Sequence, residues 1–122
     1  MTRRVFLGSV AAAALAESGP TRFEIGCLAL PYRDFSFERA CEGIARAGCR
    51  YVGYGTEQEK VIVPALDARP AEAARVAERA RSFGLEPRLM FSRINIAAPD
   101  AVEGHRRRIA QAAASRIPYL LT

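Results

Sequence analysis

Two kinds of segment alternate from residue 23 to residue 122. Residues 23–30 (FEIGCLAL) form an apolar run that Pro31 stops, which predicts a first strand. Ser36 then caps a predicted helix from Phe37 to about Ala47. Its apolar side is Phe37, Ala40, Cys41, Ile44 and Ala47, spaced by three and four, and Gly48 supplies the stop. Residues 51–54 (YVGY) read as a second strand. A polar loop follows through Glu57, Glu59 and Lys60, with Val61, Ile62 and Val63 as a brief extended piece inside it. Pro70 opens a second helix in its first turn, where a missing N–H costs nothing. Ala73, Val76, Ala77, Ala80 and Phe83 form its inner stripe and Gly84 ends it. Residues 88–91 are strand three. Pro99 and Asp100 start a third helix that carries Val102, Ile109, Ala112 and Ala113 inward, and residues 118–122 are strand four.

Strand, helix, strand, helix, strand, helix, strand is the pattern of an α/β chain with a parallel sheet and right-handed crossovers. Two architectures satisfy it: the N-terminal half of a TIM (β/α)8 barrel, or a small open doubly wound sheet. Either needs helices with one dry face, so periodicity leaves both open.

The leader is of another kind. Arg3 and Arg4 precede an apolar run over residues 5–16 of about twelve residues, the length of a signal h-region and short of the roughly twenty that span a bilayer. Ala14-Leu15-Ala16 is a small-x-small cleavage site. Thr2-Arg3-Arg4-Val5-Phe6-Leu7-Gly8 resembles the twin-arginine export motif. An ordinary amphipathic helix fits less well, because Gly8 and Ser9 disfavour helix and the run has no polar face. The expectation is a twin-arginine-type signal peptide over residues 1–16, a linker over 17–22 and one folded unit over 23–122. The mature chain would be periplasmic or extracytoplasmic, carried out already folded by the twin-arginine export machinery. No second stretch is long and apolar enough to span, so no membrane contact is expected of the mature form.

Removing Arg3 and Arg4 from 18 basic residues leaves 16 against 13 acidic ones, so the charge falls from +5 to +3. So small a surplus requires no nucleic acid partner. The run His105-Arg106-Arg107-Arg108 points in several directions around a helix and reads as a solvated face, and His105 as a packing residue at mid-helix. Cys27, Cys41 and Cys49 match no metal or redox spacing and read as small buried hydrophobes.

Three phrases carry a resemblance. Residues 42–52 (EGIARAGCRYV) are similar to the helix, Ala-Gly, strand phrase of the xylose isomerase-like barrel family, which includes sugar-phosphate isomerases and epimerases. Residues 77–87, ending SFGLEP, resemble that family's second helix and its lead into strand three. Residues 107–114 (RRIAQAAA) with 117–122 (IPYLLT) resemble its third helix and fourth strand. The resemblance spans residues 23–122 and implies strands one to four of the barrel. It implies a full-length enzyme that uses a divalent metal to polarise a sugar carbonyl while a carboxylate moves the adjacent proton. The family's metal ligands come mainly from strands five to eight. The expectation is therefore an N-terminal fragment that binds no metal and is inactive alone. The chain departs from the family pattern at Gly53, where many members place a glutamate. It departs again at Phe91 and Ser92, where many place a histidine.

In either parallel architecture ligands meet the C-terminal ends of the strands. That selects Tyr32 and Arg33 after strand one, Thr56, Glu57 and Gln58 after strand two, and Ser92, Arg93 and Asn95 after strand three. Tyr32, Arg33, Glu57, Ser92 and Arg93 are the candidate substrate-binding residues, with a sugar or sugar phosphate as the ligand. Arginine forks suit phosphate or carboxylate, and Glu57 suits a sugar hydroxyl. Taken singly, each is also an ordinary solvated loop residue. Two further readings stand beside the isomerase. One is a metal-dependent hydrolase or apurinic endonuclease relative on the same barrel. The other is a non-catalytic carbohydrate-binding barrel or a half-barrel that pairs with itself into a homo-oligomer through open strand edges.

Overall fold

Each strand of the main sheet lies beside the one that precedes it in the chain. A computed structural model describes residues 19, 20 and 22–122; the signal-like leader and half of the linker fall outside the described residues. Strands β1 (Gly26–Leu28), β2 (Tyr51–Tyr54), β5 (Glu86–Phe91) and β6 (Tyr119–Leu121) form one parallel sheet in the order β1-β2-β5-β6. Helices α1 (Phe37–Arg46), α2 (Pro70–Ser82) and α3 (Ala101–Ala114) make the three crossovers. The chain is therefore α/β, with a four-stranded parallel sheet. Between β2 and α2, β3 (Glu57–Gln58) and β4 (Val61–Ile62) form an antiparallel hairpin. The expected polar loop holds this small second sheet, in which Val61 and Ile62 pair back on Gln58 and Glu57. No helix among the described residues is long and apolar enough to cross a membrane.

The first strand is shorter than its apolar run. Phe23 and Ile25 stay exposed, and beyond Ala29 the chain turns into a 3₁₀ segment at Leu30–Tyr32. Pro31 sits within that turn, where its fixed φ is tolerated. In β5 the register slips opposite Val52 and Gly53, giving Arg88 no direct partner. A bulge at this place lets Pro87 occupy a strand without removing a needed ladder bond.

All three helices pack on one face of the sheet. Phe37, Ala40, Cys41 and Ile44 of α1 and Val76 and Ala80 of α2 form one cluster with Ala112 of α3, and Ala29, Val52, Tyr54 and Met90 join from the sheet side. Ser36 caps α1 by accepting the Arg39 N–H, as its position predicts. The Phe37 and Tyr54 rings meet edge to face at 5.2 Å. Alternate strand residues, Leu28, Gly53, Leu89 and Tyr119, look the other way and line an uncovered hollow of about 290 Å³. A Cβ at Gly53 would come within 2.5 Å of Leu28 Cδ2, so the glycine lets two large neighbours close over β2 on that open face.

The third helix corrects the expected stripe. Val102 and Ile109 are 67% and 57% exposed and Ala113 is exposed too, whereas Ala101, Arg108, Gln111 and Ala112 are buried. The helix is turned so that Arg108 reaches backbone carbonyls at the strand ends, and that need outranks two aliphatic side chains. The basic run is accordingly not a uniformly solvated face: Arg106 and Arg107 are exposed and Arg108 is fully enclosed. Smaller corrections apply elsewhere. Phe83 caps α2 and is more than a third exposed, its expected place in the core being taken by Leu85, and Ala47 caps α1 at the surface. Cys41 is buried, Cys27 and Cys49 are half-buried against the core, and all three are free thiols.

Candidate functional site

Three loops converge at the C-terminal ends of β1, β2 and β5. The turn after β1 joins the hairpin through the Glu59 N–H, which donates to the Arg33 carbonyl at 2.8 Å. The hairpin joins the turn after β5 through Glu57 and Arg93, whose Oε1 and Nη2 are 3.7 Å apart. Gln58 is buried below, and its Nε2 donates to the Ala29 carbonyl at 3.1 Å. Alternation within β3 explains the split: Gln58 turns into the fold and Glu57 turns out to the rim. Thr56 Oγ1 and Gln58 Oε1 are enclosed with no hydrogen-bond partner among the described residues.

Backbone strain gathers at the same place. Glu59 and Lys60 have φ of 49° and 68°, the paired left-handed geometry of a two-residue type I′ hairpin turn that asparagine and glycine usually fill. Arg93, two residues beyond β5, has φ of 59°. Non-glycine residues in this region cost on the order of 1 kcal/mol each and persist where surrounding contacts hold them.

Arg108 supplies much of that hold from underneath. Its Nε donates to the Ser92 carbonyl at 2.9 Å, Nη1 to the Pro64 carbonyl at 2.9 Å and to Gln111 Oε1 at 2.6 Å, and Nη2 more weakly to the Gly55 carbonyl at 3.4 Å. Burial without a carboxylate lowers its pKa to about 10, which still leaves it charged near neutrality. Gln111 continues the clamp, donating to the Ala68 carbonyl at 2.8 Å and the Ala65 carbonyl at 3.1 Å. One cation thus ties the loop after β2 to the end of β5. In the sequence Arg108 is one of three consecutive arginines, and only its spacing from Gln111 and Ala112 on one helical face hints at burial.

The structure brings Glu57, Arg93 and the Arg33 backbone together and separates the other two candidates. Arg33 extends its side chain toward solvent, its Nε 4.0 Å from Asp34. The Tyr32 ring packs on α1, occupying the space a Cβ at Gly43 would need, with its hydroxyl 2.7 Å from that position. Ser92 is fully buried, and its Oγ accepts the Ile94 N–H at 3.3 Å, so the side chain shapes the turn. A groove of about 710 Å³ lies elsewhere, between the hairpin strand β4 and α2, and is lined by Val61, Pro64, Asp67, Arg75 and Arg79 among others. Among the described residues no three of His, Cys, Asp and Glu stand close enough to hold a metal ion. His105 lies on α3 with Nε2 enclosed and without a hydrogen-bond partner among the described residues.

No protein-family model, curated protein or solved structure matches the chain.

The rim therefore offers a half-exposed carboxylate as acceptor beside a half-exposed guanidinium as forked donor. Chemically, such a carboxylate can accept from a hydroxyl and such a guanidinium can donate to an anionic group.

Proposed function

We propose that this chain is the first half of an exported barrel of the sugar-phosphate isomerase and epimerase kind, binding a sugar or sugar phosphate at its strand C-terminal ends. The observation that carries the reading is the order β1-β2-β5-β6 with all three helices on one face. A doubly wound sheet reverses its strand order and places helices on both faces, whereas a barrel wall proceeds in sequence and keeps its helices outside. The apolar open face of Leu28, Leu89 and Tyr119 is then the wall's interior side. The twin-arginine-like leader supports export of the folded protein.

In this reading Arg93 and Arg33 hold the anionic end of the ligand and Glu57 accepts a hydroxyl. Arg108 fixes the spacing between their loops from below without touching the ligand. The proton transfer of the full enzyme needs groups beyond these, so this chain alone binds and does not turn over. A ¹⁵N-resolved NMR titration with aldoses, ketoses and their phosphates tests it. Shifts at Glu57, Arg93 and the 33–34 turn are expected. Shifts confined to the groove of Val61 and Arg75, or none with any sugar, would remove the proposal.

A further inference from the structure

The rim arginines differ from those at the other end of the sheet. Near the strand N-termini, Arg81 donates to Glu78 at 2.9 Å and to both oxygens of Glu86 at 3.3 and 3.1 Å, and Arg116 donates to Glu78 at 3.0 Å. Their guanidinium donors are committed to carboxylates of the fold. At the rim, Arg93 stands 3.7 Å from Glu57 and Arg33 stands 4.0 Å from Asp34. A charge-assisted hydrogen bond is about 2.8 Å long, so neither contact is one. Among the described residues no hydrogen bond holds either guanidinium, and the donors remain available to another acceptor.

Arg93 is nonetheless placed with care. Its left-handed φ of 59° is maintained because Ser92 is fixed from both sides: its N–H donates to the Leu121 carbonyl at 2.8 Å and its carbonyl accepts from Arg108. Glu57 is delivered opposite by a hairpin whose own turn is left-handed and tied to Arg33. Two oppositely charged groups on fixed backbone thus face each other across a gap slightly too wide for a direct bond. Both side chains keep nearly half their surface in water, 42% for Glu57 and 48% for Arg93.

We propose that Glu57 is a displaceable stand-in for the anionic group of the ligand. A phosphate or carboxylate takes the guanidinium fork of Arg93 in a bidentate contact, and the released Glu57 carboxylate accepts a hydroxyl of the same ligand. The exchange leaves one anionic partner on Arg93 before and after, and specificity rises, because a ligand needs both an anion and a hydroxyl to satisfy both groups. This deepens the reading of the rim as the ligand end and rests on it.

The test is a titration of the 122-residue chain with inorganic phosphate at constant ionic strength, following the Arg93 Nε–H and Glu57 amide signals. Acetate in place of phosphate separates a phosphate preference from a general carboxylate site, and xylose serves as the neutral, anion-free probe. Removing the competitor in Glu57→Gln should tighten phosphate about two- to fivefold, the range expected from an exposed ion pair. Arg93→Gln should weaken it about tenfold or more through loss of the charge-assisted fork. Both positions are half-exposed, and an unchanged circular dichroism spectrum confirms that each variant is folded. Equal or weaker phosphate binding by Glu57→Gln overturns the stand-in, as does wild-type affinity in Arg93→Gln. If xylose still shifts the rim in either case, the sugar-binding reading survives without this inference. If xylose and phosphate both leave the rim unmoved, both fall.

Discussion

Arg108 Nε donates to the Ser92 carbonyl at 2.9 Å from a side chain with no exposed surface and no carboxylate partner among the described residues. A buried cation satisfied by carbonyls and one amide is costly to place and costly to remove. Its removal strands the Ser92 and Pro64 carbonyls and Gln111 Oε1 in a dry interior. Arg108→Met, which keeps the length and loses the donors, should destabilise the chain by about 2–4 kcal/mol. Arg108→Lys should recover only part of that, because one ammonium cannot serve divergent acceptors as a fork does. Urea midpoints at constant slope measure both; a Met variant as stable as wild type would show that the clamp does nothing.

The same rim depends on Gly55. It has φ of 103°, and a Cβ there would stand 2.6 Å from the Phe91 carbonyl oxygen and 2.8 Å from its nitrogen. Neither backbone atom can move without breaking the β2–β5 pairing. At Gly53 the obstacle is the end of the Leu28 side chain, which can rotate toward the open face. Gly55→Ala should therefore cost about 3 kcal/mol and Gly53→Ala about 1 kcal/mol. Thermal unfolding of the two variants gives the order, and a reversed order would contradict the packing described.

Alkaline pH addresses the core between α1 and the sheet. Burial, reinforced by Glu38, raises the Cys41 thiol to about 11 from an ordinary 9.0. The folded state keeps a proton there that the unfolded state has lost, so this contribution is full below pH 9 and disappears as pH climbs through 11. Burial raises the Tyr54 phenol as well, in the same direction. Stability should fall across pH 9–11, and Cys41→Ala should flatten the slope without abolishing it. A thiol reagent at pH 8 should modify half-buried Cys27 and Cys49 before Cys41.

The orientation of α3 gives a further check. Because Val102 and Ile109 face water, replacing both with lysine should change stability by no more than about 0.5 kcal/mol per site. Replacing Ala112, buried against the sheet, with leucine should cost about 1–3 kcal/mol through overpacking. Chemical denaturation of the two variants compares them directly, and a large loss in the lysine variant would restore the aliphatic stripe to the core.

Local patterns in this chain determined element type and order. Apolar spacing by three and four placed α1 and α2, with Ser36 and Pro70 marking where each begins. The apolar run at Tyr51–Tyr54 placed β2 to the residue. These signals are short-range, since a helix or strand declares which face it will bury through neighbours a few positions away. The strand order, the single helical face and the roles at the rim were decided by tertiary structure. Whether Arg108 is solvated or buried depends on carbonyls 16 to 53 positions distant. Tyr32 and Ser92 carried the right position for a site, and only packing revealed that one lies on α1 and the other inside a turn. The meeting of Glu57 with Arg93 likewise required two strands to be neighbours and a hairpin to fold back between them. Periodicity reports a burial face; it carries no information about which distant group will satisfy a buried polar atom, and here that requirement set the turn of α3 and the shape of the site.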